Sequence, residues 1–260
     1  MLSLHTRFSL PLLSFCQWCL NGLAKRLLGD LRPRSFSNRV LSEYLVALSG
    51  DIINVSGWED SDKEGRRYRN YYGACRRYVI SNIDGEGGVP RVLPGEIEAV
   101  YLDLNEPLDG SLAGQFDVAF CHTVLEHVFD SDTALRNLAA LTRDLVVVVV
   151  PFSQSVHYTG SYSDYHRFSP YCLQRFFEDE GFTALLSVAN SQPFFPTYVV
   201  FIASRYPERH SVTFVDGPKK FDVTIAPGRW GRYQQSGLAP LRDPSREASA
   251  HRSRKPECVG

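Results

Sequence analysis

The sequence predicts an α/β protein built on a doubly wound, mostly parallel sheet with an antiparallel strand at one edge. Three observations lead there. Apolar runs at 52–55, 78–80, 99–102, 116–121 and 145–150 are separated by segments long enough for crossovers, which parallel neighbours require. The run from Leu145 to Val150 shows no polar alternation, so both of its faces must be covered and it belongs at the centre of the sheet. Two later runs, 183–188 and 198–203, are joined by a turn containing Pro193 and Pro196; a connection that short implies an antiparallel pair at a sheet edge.

The remaining elements follow from periodicity and capping. Leu12, Cys16, Cys19, Leu20, Leu23, Leu27 and Leu28 make one apolar stripe at helical spacing. The stripe is too short and interrupted to span a bilayer, which needs about 20 apolar residues, and no A-x-A-like cleavage site follows it. It reads as a packing face, with Lys25, Arg26, Arg32 and Arg34 leaving peripheral membrane contact open. A second helix places Val40, Leu41, Tyr44, Leu45 and Leu48 on one face, with serines to cap it and Gly50 to stop it. Leu135, Leu138 and Leu141 mark the crossover before the central strand, and Ser169, Pro170 and Gly181 bracket another helix. Past residue 205 the pattern fades, and after Trp230 the chain is rich in Arg, Ser, Pro and Gln and is expected to be disordered. The expected organisation is a helical extension over 1–50, a domain over 51–204 and a tail over 205–260, in a cytoplasmic protein.

Composition removes several function classes. With 43% hydrophobic and 22% charged residues and a net charge of -1, the chain has no basic field to draw it onto nucleic acid. Its 6 cysteines are too scattered for a disulfide framework, and Cys16 and Cys19 lack the second pair a structural zinc site needs. His122, Glu126 and His127 are spaced one residue too far apart for an H-x-x-E-H zinc peptidase, and the sequence predicts no metal. The first strand is not followed by G-x-G-x-x-G, which argues against a nicotinamide oxidoreductase.

Ligands of open α/β sheets bind outside the carboxyl ends of the strands. Those ends fall at Asn54-Val55-Ser56-Gly57-Trp58, Asn82-Ile83-Asp84-Gly85, Asp103-Leu104 and Cys121-His122-Thr123, and each finishes in polar residues or glycine. The segments V-Y-L-D-L-N-E-P-L (100–108), F-D-V-A-F-C-H-T-V-L-E-H-V-F-D (116–130), L-V-V-V-V-V-P (145–151) and E-D-E-G-F (178–182) closely resemble the core of class I S-adenosylmethionine-dependent methyltransferases, the type 11 group in particular. The likeness covers 51–204 and implies a Rossmann-like fold with S-adenosylmethionine as cofactor. The segment H-Y-T-G-S-Y-S-D-Y-H-R-F-S-P (157–170) resembles a loop of bacterial members associated with surface-polysaccharide and other glycan assembly.

The resemblance implies roles residue by residue. Ser56 and Gly57 would lie along the methionine part of the cofactor, Asp84 would accept from the ribose hydroxyls, and Asp103 would read the adenine amino group with Leu104 against the ring. Cys121 and His122 would border the sulfonium. On the acceptor side, His122 or His166 would take a proton, and His157, Asp164, Tyr165 and Arg167 would contact a small-molecule or glycan-like acceptor, Arg167 by holding an anionic group bidentately.

One stretch departs from the family pattern V-L-D-V-G-x-G-x-G. This chain reads I-I-N-V-S-G-W-E-D, with Asn54 in place of the acid and Ser56, Trp58 and Asp60 in place of the three glycines. The expectation is methyl transfer from S-adenosylmethionine, with a catalytically silent binding or scaffold module of the same fold as the alternative.

Overall fold

The computed structural model describes residues 32–83, 98–158, 162–190 and 197–210, together with the backbone of two short strands, Asp222–Val223 and Tyr233–Gln234. The stripe over 12–28 and most of the tail lie outside the described residues. In chain order the main elements are α1 (Pro33–Tyr44), β1 (Ser49–Val55), β2 (Ala74–Asn82), β3 (Glu98–Tyr101), β4 (Phe116–His122), α2 (Ser131–Leu141), β5 (Thr142–Ser153), α3 (Pro170–Asp179), β6 (Thr183–Ala189) and β7 (Thr197–Ser204). Each apolar run seen in the sequence is a strand.

The seven strands form one sheet in the order β3-β2-β1-β4-β5-β7-β6. Six of them run in the same direction; β7 alone runs the other way, antiparallel to both of its neighbours, β5 and β6. The pleat sends alternate residues to opposite faces. On one face Ile53, Val79, Cys121, Val146, Val148 and Val150 meet Leu135 and Leu138 of α2 and Leu173 and Phe177 of α3. On the other, Ile52, Ile80, Phe120, Val147 and Val149 meet Phe36, Val40, Leu41 and Leu45. The valine run of β5 thus feeds both layers, and each buried Val, Leu or Phe side chain contributes about 1.5–3 kcal/mol. Because α1 supplies Phe36, Val40 and Leu41 to the second layer, its residues fold with the sheet.

Capping follows the sequence at α3, and at α2 the cap is Asp130, which the sequence pattern does not single out. Asp130 accepts from Thr133 N at 3.1 Å, and Ser169 accepts from Cys172 N at 3.1 Å with Pro170 in the first turn. At α1 it does not. That helix opens on Pro33 after Arg32, without a side-chain cap, and ends in a 3-10 turn over Leu45–Ala47. Gly50 is not its stop but lies inside β1, where its φ is +102° and a Cβ would stand 2.2 Å from Asp117 Oδ2. Glycine is needed there because the Asp117 carboxylate accepts from Asp51 N at 2.8 Å.

Residues 56–73 cross from β1 to β2 without an α-helix, through a single 3-10 turn at Tyr68–Tyr71. Two buried carboxylates organise this crossover. Asp60 accepts from Asn54 Nδ2 (2.9 Å), Tyr78 Oη (2.6 Å) and Arg69 N (3.1 Å). Asp62 accepts from Tyr71 Oη (2.7 Å), Glu64 N (2.7 Å) and Arg66 N (2.9 Å). Burial pushes the Asp60 carboxyl up, and its three donors oppose the shift. Among the described residues no helix is long and apolar enough to cross a membrane.

Candidate active site

Strand order reverses between β1 and β4, so the crevice at their carboxyl ends is the topological switch point. Both chains leave the sheet there in a costly conformation. Ser56, Trp58 and Asp60 have φ of 52°, 48° and 59°, and Thr123, at the end of β4, has 52°. The left-handed region costs a residue with a Cβ about 1–2 kcal/mol, and a β-branched residue there is a genuine outlier. The three positions after β1 are those where the sequence carries Ser, Trp and Asp in place of glycine.

Neighbouring strands hold the loop in that shape. Ser56 N donates to Ser81 Oγ (3.1 Å), Gly57 N to Ser81 O (3.1 Å), Trp58 N to Asn82 Oδ1 (2.8 Å) and Asp60 N to Gly57 O (2.7 Å). These amides are therefore committed to β2 and to the loop itself. Gly57 is required for a reason the sequence does not show, since a Cβ on it would lie 2.5 Å from the Asn54 side chain. Asn54 in turn holds Asp60, so the close approach secures the loop from within.

His122 points from β4 toward α1. Arg34 Nη1 donates to its Nδ1 at 3.2 Å; because a guanidinium can only donate, Nδ1 must be an acceptor. Nε2 then carries the proton and donates to Ser37 Oγ at 3.1 Å, while Ser37 donates to the Arg34 carbonyl at 3.0 Å. Burial, and then the Arg34 charge, hold the imidazole well below its ordinary value, so it stays neutral. Both ring nitrogens are engaged, which removes His122 from the role of proton acceptor. Arg34 also donates to Tyr68 Oη (3.1 Å) and Thr123 Oγ1 (3.2 Å), bringing a half-buried positive charge from α1 to the end of β4. Nothing in the sequence pattern marks it for that position.

At the end of β3, Asp103 Oδ1 accepts from Asn105 N (2.9 Å) and Nδ2 (3.0 Å), and Asn105 Oδ1 accepts from Phe129 N (3.2 Å) and Asp130 N (3.3 Å). Oδ2 of Asp103 has no partner among the described residues. Leu104 and Cys121, expected to touch a ligand, are 1% and 0% exposed and belong to the core beneath the site. Asp84 lies outside the described residues.

The loop after β5 resolves differently from its sequence reading. Arg167 forms a two-pronged pair with Asp164, through Nη1 to Oδ1 and through Nη2 to Oδ2 at 2.7 Å, and donates further to the carbonyls of Gln154, Ser155 and His166. The bidentate fork expected for an anionic substrate is thus committed to Asp164, whose carboxyl the guanidinium holds far below the usual range. The pair shapes the loop. Asp164 also accepts from His157 N at 2.8 Å, and Tyr165 N donates to Glu126 O at 2.7 Å. His166 donates through Nε2 to Phe129 O at 3.0 Å, leaving Nδ1 without a partner among the described residues. Phe129, Tyr158, Tyr162 and Tyr165 expose their rings along this rim.

Beneath the rim sits Glu126, 1% exposed, with Oε2 buried and unpartnered. Burial, reinforced by the Asp164 charge, pushes its carboxyl up to about 7. His127 stands beside it, its Nε2 3.7 Å from Glu126 Oε1 and its Nδ1 donating to Ser163 O at 2.7 Å. His157 meets His127 edge to face with ring centroids 4.9 Å apart. The sequence shows Glu126 and His127 as neighbours; only the fold adds His157, because β5 and its loop intervene.

No family model matches the chain, and comparison with curated proteins finds no match. Solved structures that resemble it include the 1,6-didemethyltoxoflavin-N1-methyltransferase of Burkholderia thailandensis, with 18% identity over 78% of this chain and 91% of that one and a TM-score of 0.45. The magnesium protoporphyrin IX methyltransferase of Synechocystis PCC 6803 has 16% identity over 66% of this chain and 79% of that one, with a TM-score of 0.44. A structure of the Haloferax volcanii Trm112 activator with a methyltransferase gives 12% identity, coverage of 73% and 96%, and a TM-score of 0.49.

Proposed function

We propose that the chain is an S-adenosylmethionine-dependent methyltransferase acting on a small-molecule or glycan-like acceptor. One observation carries this reading: the backbone is left-handed at Ser56, Trp58 and Asp60, the three positions where the methyltransferases it resembles place glycines. Backbone strain of this kind persists only where its surroundings impose it, and it clusters at functional sites. Here it flanks the switch point, with Thr123 on the opposite side.

The residues present fit the cofactor at two ends. Asp103 Oδ2 is available for the adenine amino group, with Asp84 proposed for the ribose hydroxyls. Because the loop amides are committed to β2, a carboxylate entering the crevice would rely on the Arg34 charge, which among the described residues is held by the neutral Tyr68, His122 and Thr123 rather than by an acid. Bound there, S-adenosylmethionine would supply a methyl carbon already activated by positive sulfur. The protein's task is then alignment, and a general base is optional. His166 Nδ1 is the proton acceptor we assign if one is used. The exposed rings of Phe129, Tyr158, Tyr162 and Tyr165 suit the face of a sugar, and on that ground we carry forward an acceptor from surface-polysaccharide assembly.

The committed amides favour a second reading, a binding or scaffold module that kept the fold. Calorimetric titration with S-adenosylmethionine and S-adenosylhomocysteine, in wild type and Asp103→Ala, separates the two. Saturable binding lost in the variant supports the enzyme. No heat from folded protein at millimolar ligand overturns it.

A further inference from the structure

We propose that Glu126, His127 and His157 form a binding site for a divalent transition-metal ion of the zinc type. One ligand atom from each lies within 4.8 Å of the other two. Donors 2.0–2.1 Å from a tetrahedral ion stand about 3.4 Å apart, and Glu126 Oε1 is already 3.7 Å from His127 Nε2. Small side-chain rotations bring in the third donor. Two imidazoles and a carboxylate are a donor set that zinc and its neighbours accept and that magnesium or calcium does not prefer.

Two independent features point to an ion rather than a chance cluster. Glu126 Oε2 is buried without a hydrogen-bond partner, and a carboxylate oxygen so placed is costly unless a proton or a positive charge meets it. The Arg167 and Arg34 charges act on Glu126 only from a distance and neither donates to its Oε2: the Arg167 fork is held by Asp164, and Arg34 by Tyr68, His122 and Thr123. The imidazoles are also oriented from behind, as metal-binding histidines are. His127 Nδ1–H is fixed on Ser163 O at 2.7 Å, which leaves Nε2 with a lone pair turned toward Glu126. His157 Nδ1 lies 3.0 Å from the Asp164 carboxylate, a slight ring rotation from a hydrogen bond. The His157 side chain is 36% exposed, so an ion can enter and a fourth position stays open to water or a hydroxyl oxygen. This site does not depend on the cofactor reading.

The test is equilibrium dialysis of the full chain against Zn²⁺, with Co²⁺ absorption as the coordination readout. A Cys16→Ser/Cys19→Ser background excludes thiol binding at that pair. We expect one ion per chain and cobalt bands of a four-coordinate nitrogen and oxygen site. Affinity should fall more than about tenfold in His157→Ala and Glu126→Gln, each shown to be folded by circular dichroism, and should hold in His210→Ala, whose imidazole serves Asp144 at 2.9 Å. No retained zinc, or equal retention by His157→Ala and Glu126→Gln, overturns the proposal.

Discussion

Arg34 Nη1 stands 3.2 Å from Nδ1 of His122, joining helix α1 to the end of β4 across the back of the sheet. The contact fixes the neutral Nε2–H form of the imidazole. It also makes His122 a liability in acid. With the folded value depressed below the ordinary 6.5 by burial and by the arginine, the unfolded chain binds the extra proton first. The contribution is therefore fully present above about pH 6.5 and is lost as pH falls toward the folded value, by at most about 1.4 kcal/mol per unit. Urea denaturation at pH 7.5 and 5.5 should show a steeper loss in wild type than in His122→Gln. Equal slopes would mean the imidazole is already solvated.

The left-handed residues after β1 give a second prediction. Ser56→Gly should leave stability unchanged or raise it by up to about 1 kcal/mol, because glycine adopts positive φ freely and the relief of strain competes with chain entropy. Ser56→Val should lower stability by about 2 kcal/mol, since a β-branched residue resists that region. Denaturant midpoints of the two variants decide it, and identical effects would deny the backbone its left-handed shape.

Gly57→Ala places a Cβ 2.5 Å from the Asn54 amide, which itself holds Asp60. We expect a loss of about 1–3 kcal/mol. A double-mutant cycle with Asn54→Ala should be non-additive, as residues in contact are. Simple additivity would show that the alanine is felt elsewhere.

Arg167→Lys keeps the charge and loses the planar fork. Because the arginine's donors all go to Asp164 and to loop carbonyls, hydrogen exchange of 154–168 should quicken while S-adenosylhomocysteine affinity is unchanged. Unaltered loop exchange with loss of acceptor turnover would instead return Arg167 to the substrate.

The sheet was legible because its strands carry their burial in their own composition; the valines of β5 are apolar toward both layers, and no partner need be known to see it. Helix α3 announces its cap locally through Ser169 and Pro170, whereas the Asp130 cap of α2 is seen only in the structure. Gly50 misled because a glycine after a helical pattern reads as a stop, and only the Asp117 carboxylate, 67 positions away, shows why it sits in a strand. The site was legible in position but less so in role. Asp103 falls at the expected strand end, but Leu104 and Cys121 lie one layer too deep, and the reach of Arg34 from α1 and of His157 toward Glu126 depends on elements far apart in sequence. Residue types are visible in a sequence; which partner claims a guanidinium or an imidazole is decided by packing.

The central claim is that the crevice between β1 and β4 holds S-adenosylmethionine despite the missing glycines. Hydrogen exchange with and without saturating S-adenosylhomocysteine tests it most directly. The account predicts protection confined to peptides covering Arg34, 54–60, Asp84, 101–106 and 122–127. Protection elsewhere, or none in a folded sample, would contradict it.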